Sequence, residues 1–140
     1  MKNYIYDNML SAYDMSTEQQ KRNAIFEVNQ QVILAGLYNG GFFDVAAFYG
    51  GTCLRIFHGL ERFSEDMDFS LLVPDEKFDF TKYFQPIIDE FAVVGREVEI
   101  KKKNKKNFGK VESAFLKDNT DVYDISFQTD KSIKIKIEVD

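Results

Sequence analysis

The sequence lacks the features that mark secreted or membrane-spanning proteins. Its 140 residues include one cysteine, Cys53, and no tryptophan. A single thiol cannot form an intrachain disulfide, which favours a reducing compartment. No signal-peptide pattern opens the chain, and the apolar run VILAGLY at 32–38 is far shorter than the roughly 20 residues that span a bilayer. We therefore expect a cytoplasmic protein with no membrane partner.

The sequence also lacks an excess of basic residues. With 18 Lys and Arg against 23 Asp and Glu, the formal net charge is −5, which argues against a general nucleic-acid coat protein. One segment departs from this balance, KKKNKKNFGK at 101–110. Two interpretations of it remain open, a solvated hairpin tip and a local contact for RNA phosphates.

The apolar content is sufficient for one folded domain spanning residues 1–140. Hydrophobic residues make up 44 % of the chain and include 14 phenylalanines, which predicts a core filled largely by Phe.

Helical spacing of apolar residues occurs in three segments. The first predicts a helix at about 17–39, which begins with a capping box formed by Ser16 and Gln19 and ends at a pair of glycines. The segment TCLRIFHG fits about two further turns, and DFTKYFQPIIDEFAVVG fits a second amphipathic helix. Pro86 lies inside this helix and predicts a kink or a break there.

Strand patterns alternate with these helices and then dominate the second half. FFDVAAFYGG predicts a strand at about 43–49, and DMDFSLLV predicts another that ends before Pro74. After Arg96, four segments alternate apolar and polar residues: REVEIKKK, GKVESAFLK, DVYDISFQ and SIKIKIEVD. This order predicts an α+β domain with a mixed or antiparallel sheet flanked by helices.

Asp66 and Asp68 occupy alternate positions of the strand DMDFSLLV. Both carboxylates therefore face the same side, about 6.5–7 Å apart along the chain. Such a pair can bind one or two hard divalent cations, and Mg²⁺ prefers a few carboxylates together with water and substrate phosphates. A solvated strand face, or ion pairs with Arg55 and Arg62, explains the same spacing, so both interpretations remain open.

The glycines of YGGT lie between a predicted strand and a predicted helix. At Gly50 and Gly51 the backbone can approach a ligand closely, and the first N–H groups of the helix favour an anion. Thr52 is predicted to cap this helix and to offer its hydroxyl to a phosphate. An ordinary strand-to-helix turn is the simpler interpretation of the same residues.

A third acidic residue lies in the last predicted strand, SIKIKIEVD. Its isoleucines share one face, while Lys136 and Glu138 lie on the other. If this strand pairs beside the Asp66–Asp68 strand, Glu138 completes a three-carboxylate site with Lys136 near the phosphates, an arrangement that two-metal phosphoryl chemistry uses. The spacing alone favours a plain amphipathic strand with a charged outer face.

The segment YGGTCLRIFHGLERFSEDMDF resembles the signature of the AbiEii/AbiGii-type nucleotidyltransferase toxins, a branch of the DNA polymerase β-like nucleotidyltransferase superfamily. That signature joins Gly-Gly-Thr/Ser, a leucine-arginine helix, a glycine loop and an Arg-x-Ser-x-Asp-x-Asp run. The matching residues are Gly50, Gly51, Thr52, Leu54, Arg55, Gly59, Arg62, Ser64, Asp66, Asp68 and Phe69. A later Lys-x-acid-hydrophobic strand of the family matches Lys136 to Val139.

The resemblance implies a polymerase β-like core that transfers a nucleoside monophosphate from an NTP to an acceptor, which is RNA (tRNA in some relatives) or protein. The catalytic and metal-binding residues it implies, for two Mg²⁺ ions, are Asp66, Asp68 and Glu138, with Glu138 helping to deprotonate the acceptor hydroxyl. The substrate-binding residues it implies are Gly50, Gly51, Thr52, Arg62, Ser64 and Lys136.

The resemblance further implies the toxin of a toxin–antitoxin or abortive-infection system, with a cognate antitoxin as partner. Two alternatives remain open, a nucleotidyltransferase acting on a small molecule such as an aminoglycoside, and a non-catalytic remnant that binds nucleotide or antitoxin. The sequence stops at Asp140 within a strand pattern, and the mainly helical C-terminal half of such proteins does not follow. We therefore expect a truncated nucleotidyltransferase domain.

Overall fold

The computed structural model describes residues 4–59, 63–103, 120–128 and 130–140. Within these ranges the chain forms four α-helices and one five-stranded sheet. The helices are α1 (Tyr4–Ser11), α2 (Glu18–Asn39), α3 (Gly50–His58) and α4 (Phe84–Val93), and 3₁₀ turns cover Phe42–Asp44 and Phe80–Tyr83. The strands are β1 (Ala46–Tyr49), β2 (Met67–Leu71), β3 (Val98–Lys102), β4 (Asp121–Phe127) and β5 (Lys134–Val139). The predicted α+β class is confirmed.

The sheet is mixed, with the strand order β1-β2-β5-β4-β3. β5 lies at its centre, where it runs parallel to β2 and antiparallel to β4. In the parallel pair, Asp68 stands directly opposite Glu138. The expectation that SIKIKIEVD pairs beside the strand of Asp68 is therefore confirmed.

The capping box of α2 lies one residue later than predicted. Thr17, not Ser16, caps the helix, with Gln20 N donating to Thr17 Oγ1 and Thr17 N donating to Gln20 Oε1, both at 3.0 Å. Ser16 instead donates its backbone N–H to Asp14 Oδ1 at 3.1 Å. The prediction was wrong because Ser16 and Thr17 are both followed three residues later by a glutamine, so the pattern fits either one.

Two other boundaries also differ from the predictions. The strand predicted at 43–49 begins only at Ala46, because Val45 N donates to Phe42 O at 3.0 Å and closes a 3₁₀ turn first. The sequence predicted a kink or a break at Pro86. The structure has the break two residues earlier, where the second 3₁₀ turn ends at Tyr83 and α4 begins at Phe84. Pro86 is tolerated inside the first turn of α4, since N–H groups there have no helical partner.

Three of the four strands predicted after Arg96 are present as β3, β4 and β5. The fourth, GKVESAFLK at 109–117, and most of the lysine-rich segment 101–110 lie outside the described residues.

The core lies between α2, α4 and one face of the sheet, and phenylalanine fills much of it, as predicted. Phe42 is fully buried, and its ring centroid is 5.0–5.4 Å from those of Phe69, Phe80 and Tyr83. The opposite face of the sheet bears Asp68, Lys136 and Glu138, which are all partly exposed. One face of the sheet therefore supplies stability, and the other carries the candidate site. In the described part of the chain, every helix is too short or too polar to cross a membrane.

Replacing Phe42 tests this account of the core. We expect Phe42→Ala to lower the free energy of unfolding by about 3–5 kcal/mol, because it removes a fully buried ring that packs against β2 and the second 3₁₀ turn. Phe57, which is 63 % exposed, is the matched control, and Phe57→Ala is expected to cost under about 1 kcal/mol. Urea denaturation of both variants measures the difference, and equal costs would contradict the account.

Candidate active site

Four charged side chains meet on the open face of the sheet. Asp68 and Glu138 lie opposite each other on β2 and β5, and Asp66 immediately precedes β2. Lys136 Nζ lies 3.4 Å from both Asp66 Oδ2 and Glu138 Oε1. Lys136 thus lies between two of the three acids predicted as a site, and the third, Asp68, lies opposite one of them, Glu138.

Arg55 does not provide the positive partner of these acids. It forms an ion pair with Glu27 of α2, whose side chain is only 5 % exposed. The interpretation in which Arg55 clamps Asp66 or Asp68 was therefore wrong. Arg62, the other predicted partner and phosphate ligand, lies outside the described residues.

The environment of Asp68 raises the pKa of its carboxyl group from 3.8 to about 7. The largest cause is partial burial, followed by the hydrogen bond to Glu138 and the negative charges of Glu138 and Asp66. A hydrogen bond between two carboxyl groups needs a proton, and the raised pKa of Asp68 allows the pair to keep one below about pH 7. Partial burial acts to lower the pKa of Lys136, but the carboxylates of Asp66 and Glu138 raise it.

Gly50 brings the start of α3 against the Asp68 carboxylate. Its φ is +86°, and a Cβ built on it would lie 2.6 Å from Asp68 Oδ2. Glycine is therefore required at this position both for its backbone conformation and for space. Gly51 lies beside Ser64, with a built Cβ 3.3 Å from Ser64 Oγ. The N-terminal end of a helix, which attracts anions, is thus next to the acidic cluster.

Thr52 has a different local role from the one predicted. Tyr49, not Thr52, is the N-cap residue of α3, so the capping prediction was wrong. Thr52 is fully buried, and its hydroxyl donates to the backbone carbonyl of Asp66. In this structure Thr52 therefore holds the chain that carries Asp66.

The sequence interpretation missed several residues around the site. Gln30 of α2 donates its side-chain amide to the carbonyls of Ser64 and Glu65. Tyr49 OH donates to Asp140 Oδ2 at 3.1 Å. A signal for Gln30 exists in the sequence, because Phe26, Gln30, Ile33 and Leu37 form one stripe of a helix and Gln30 is its only polar member.

The chemistry of the cluster fits a divalent cation. Three acidic side chains lie near the Lys136 ammonium group, and the negative charges of Glu138 and Asp66 contribute to the raised pKa of Asp68, a repulsion that a bound cation would relieve. Among the described residues, no three His, Cys, Asp or Glu side chains already converge as a ligand set. The three-carboxylate metal site predicted from the sequence therefore stays a prediction.

Two glycines with positive φ allow a matched test of the contact between Gly50 and Asp68. Gly50 and Gly59 (φ +71°) both have a left-handed backbone conformation. Alanine in this conformation lowers stability by about 1–2 kcal/mol. No atom of the described residues lies within 4 Å of a Cβ built at Gly59. We expect Gly50→Ala to cost at least about 1 kcal/mol more than Gly59→Ala in urea denaturation, because the Asp68 carboxylate must move. Equal costs would show that this contact does not constrain the turn.

The raised pKa of Asp68 predicts how stability depends on pH when no metal is bound. Between pH 4 and 7 the folded state binds more protons at Asp68 than the unfolded state, whose pKa is close to 3.8. The stability contributed by this group is thus fully present below pH 4 and is lost as the pH rises to about 7. In a chelator, wild type should lose more stability over this range than Asp68→Asn. Parallel curves for the two proteins would contradict the shifted pKa.

Comparison with known proteins supports the interpretation of the sequence motif. The sequence model of the family described as "Nucleotidyl transferase AbiEii toxin, Type IV TA system" matches residues 32–140, more than half of the chain. The matched range contains all five strands, the glycines at the start of α3, and Asp66, Asp68 and Glu138. Comparisons with curated proteins and with solved structures gave no match. The chain belongs to the AbiEii nucleotidyl transferase toxin family of type IV toxin–antitoxin systems.

Proposed function

We propose that this chain is a magnesium-dependent nucleotidyltransferase that transfers a nucleoside monophosphate from an NTP to a hydroxyl group of RNA or protein. It acts in the cytoplasm as a toxin with a cognate antitoxin. One observation carries the proposal: Asp66, Asp68 and Glu138 lie on one open face of the sheet, directly beside the start of α3. Membership of the AbiEii family supports the reaction class.

The three carboxylates are the proposed ligands of two Mg²⁺ ions. When bound, Mg²⁺ supplies Lewis-acid activation of the phosphate and neutralises developing charge. Below about pH 7, Asp68 would release a proton when it binds a cation, because a carboxylate ligand is deprotonated. Lys136, now 3.4 Å from Asp66 and Glu138, is then free to turn toward the negative charge of the triphosphate.

The triphosphate is proposed to lie at the N-terminal end of α3. The backbone N–H groups of Gly50 and Gly51 are the proposed donors, and the positive end of the helix dipole favours the negative charge. The short separation of Gly50 from Asp68 means that phosphate oxygens held there are also next to the acidic cluster. In this proposal Thr52 positions the backbone, since it is buried and its hydroxyl is bonded to the carbonyl of Asp66, and Ser64, whose Oγ lies beside Gly51, keeps its proposed contact with substrate.

The transfer step forms one bond and breaks one. The acceptor oxygen attacks the α-phosphorus, the new O–P bond forms, and the bond from the α-phosphorus to the bridging oxygen breaks to release pyrophosphate. The proton of the acceptor hydroxyl goes to the Glu138 carboxylate, which acts as general base. Glu138 is suited to this role because it is partly exposed on the open face.

Removing one carboxylate tests the proposal. We expect Asp68→Asn and Glu138→Gln each to lower the transfer rate by about 10²–10³-fold, a magnitude typical of the loss of one group that stabilises the transition state. Glu65→Gln is the matched control and should leave the rate unchanged, because Glu65 is exposed and pairs with Arg22. The assay uses the four α-³²P-labelled NTPs with Mg²⁺ and either cellular RNA or cellular protein as acceptor.

Further arms of the same assay separate the alternatives. Transfer to RNA or protein that is abolished by EDTA supports the proposal. Transfer only to a panel of aminoglycosides would show a small-molecule enzyme instead. Binding of Mg²⁺–NTP without transfer in any arm would show a non-catalytic binding module. Full activity of the Asp68→Asn and Glu138→Gln variants would overturn the proposed site.

A further inference from the structure

A buried glutamine connects the longest helix to the loop that leads into the site. Gln30 lies in α2 and has no exposed surface. Its side-chain Nε2 is 2.9 Å from the carbonyl oxygen of Ser64 and 3.0 Å from that of Glu65. Both hydrogens of the amide group are therefore used on two consecutive backbone carbonyls, just before Asp66.

The orientation of this amide follows from its surroundings. A primary amide has two N–H donors on its nitrogen and an acceptor oxygen. The reverse orientation would turn Oε1 toward two carbonyl oxygens, and none of these atoms can donate a hydrogen bond. Only the orientation with Nε2 toward the loop is compatible with the contacts.

The next carbonyl along the chain is held in the same way from another helix. Thr52 of α3 donates its hydroxyl to the carbonyl of Asp66. Three consecutive carbonyls, from 64 to 66, are thus bound by two buried side chains. These residues precede β2, which begins at Met67, so the hydrogen bonds of the β2 ladder do not fix them.

The position of Gln30 is otherwise suited to an apolar residue. Its neighbours on the same stripe of α2, Phe26, Ile33 and Leu37, are buried apolar side chains. Among the described residues the Oε1 of Gln30 has no hydrogen-bond partner, so burial of this amide lowers stability at the oxygen. Gln30 provides two hydrogen bonds to the loop, which an apolar residue of similar size could not form.

We propose that Gln30 is a positioning residue, whose amide fixes the backbone at 64–66 so that the carboxylate of Asp66 faces the same space as those of Asp68 and Glu138. The inference rests on the proposed function for its effect on nucleotide transfer. Its effect on the loop depends only on the hydrogen bonds. Some residues do not contact a metal but hydrogen-bond to its ligands and orient them. Replacing such a residue commonly lowers metal affinity or activity about 10–100-fold.

The preceding residue supplies a matched control. Asn29 is also a buried amide of α2, 2 % exposed. Its Nδ2 donates to Ile25 O at 2.9 Å and contacts Tyr6 OH at 3.4 Å, away from the loop at 64–66. Gln30→Met and Asn29→Leu each replace a buried amide by an apolar group of similar size. Gln30→Glu and Asn29→Asp form a second pair that keeps the shape and removes the donors.

Hydrogen exchange tests the structural half of the proposal without any ligand. In the variants that remain folded, we expect amide exchange in the segment 63–69 to be about tenfold faster or more in the Gln30 variants, with α4 and β4 unchanged. The Asn29 variants should exchange like wild type in this segment. Unchanged exchange at 63–69 in the Gln30 variants would overturn the inference, whatever the enzyme assay shows.

Binding and kinetics test the functional half. Titration with Mn²⁺ alone should give a dissociation constant about tenfold weaker for Gln30→Met than for Asn29→Leu. The kcat for nucleotide transfer should fall by about 10–100-fold, with a smaller change in the KM for the nucleotide. Equal Mn²⁺ affinities and equal kcat values in the two variants, at matched folded fraction, would overturn the positioning role.

Failure of the proposed function and failure of the inference about Gln30 would give different results. Wild-type protein that binds no Mn²⁺ and transfers no nucleotide would overturn the proposed function, while the exchange at 63–69 would still decide whether Gln30 fixes the loop. A wild type that is active, with Gln30 variants that match the Asn29 variants in every measurement, would overturn this inference alone.

Discussion

The parallel pairing of β2 with β5 is the constraint on which the rest of the structure depends. It joins two strands that are distant in the sequence and sets Asp68 opposite Glu138. The same register buries Met67, Phe69 and Ile137 under the helices. Because side chains alternate between the two faces of a strand, a slip of one residue would move the acids into the core. The hydrophobic core therefore enforces the arrangement of the candidate site.

The acidic cluster is electrostatically costly in the absence of a cation, and the protein reduces this cost in two ways. The pKa of Asp68 is raised to about 7, so this carboxyl group binds a proton below that pH, and the Lys136 ammonium lies between Asp66 and Glu138. Both arrangements are reversible, since a proton can leave and a lysine side chain can turn. A divalent cation bound by the same carboxylates would take the place of the proton and of the lysine ammonium, and it would neutralise the negative charge more strongly than they do.

The sequence predicted the faces of the strands better than the connections between them. Alternation in SIKIKIEVD placed Glu138 and Lys136 on one side, and the spacing of Asp66 and Asp68 placed both opposite the core. The family signature, more than the periodicity, joined these strands into one site. The helical stripe marks Gln30 as a buried polar residue, but the partners of Gln30 and Thr52 were not predictable, because each is a carbonyl that only the folded chain brings close.

The most direct test of the account is a crystal of this protein soaked with Mn²⁺ and a non-hydrolysable NTP, measured at the manganese absorption edge. The account predicts an anomalous peak in contact with Asp68 and Glu138 on the open face of the sheet, with the Lys136 ammonium moved away from Asp66 and the triphosphate at the start of α3. Nucleotide bound elsewhere, with no anomalous peak at these carboxylates and Lys136 still between Asp66 and Glu138, would contradict it.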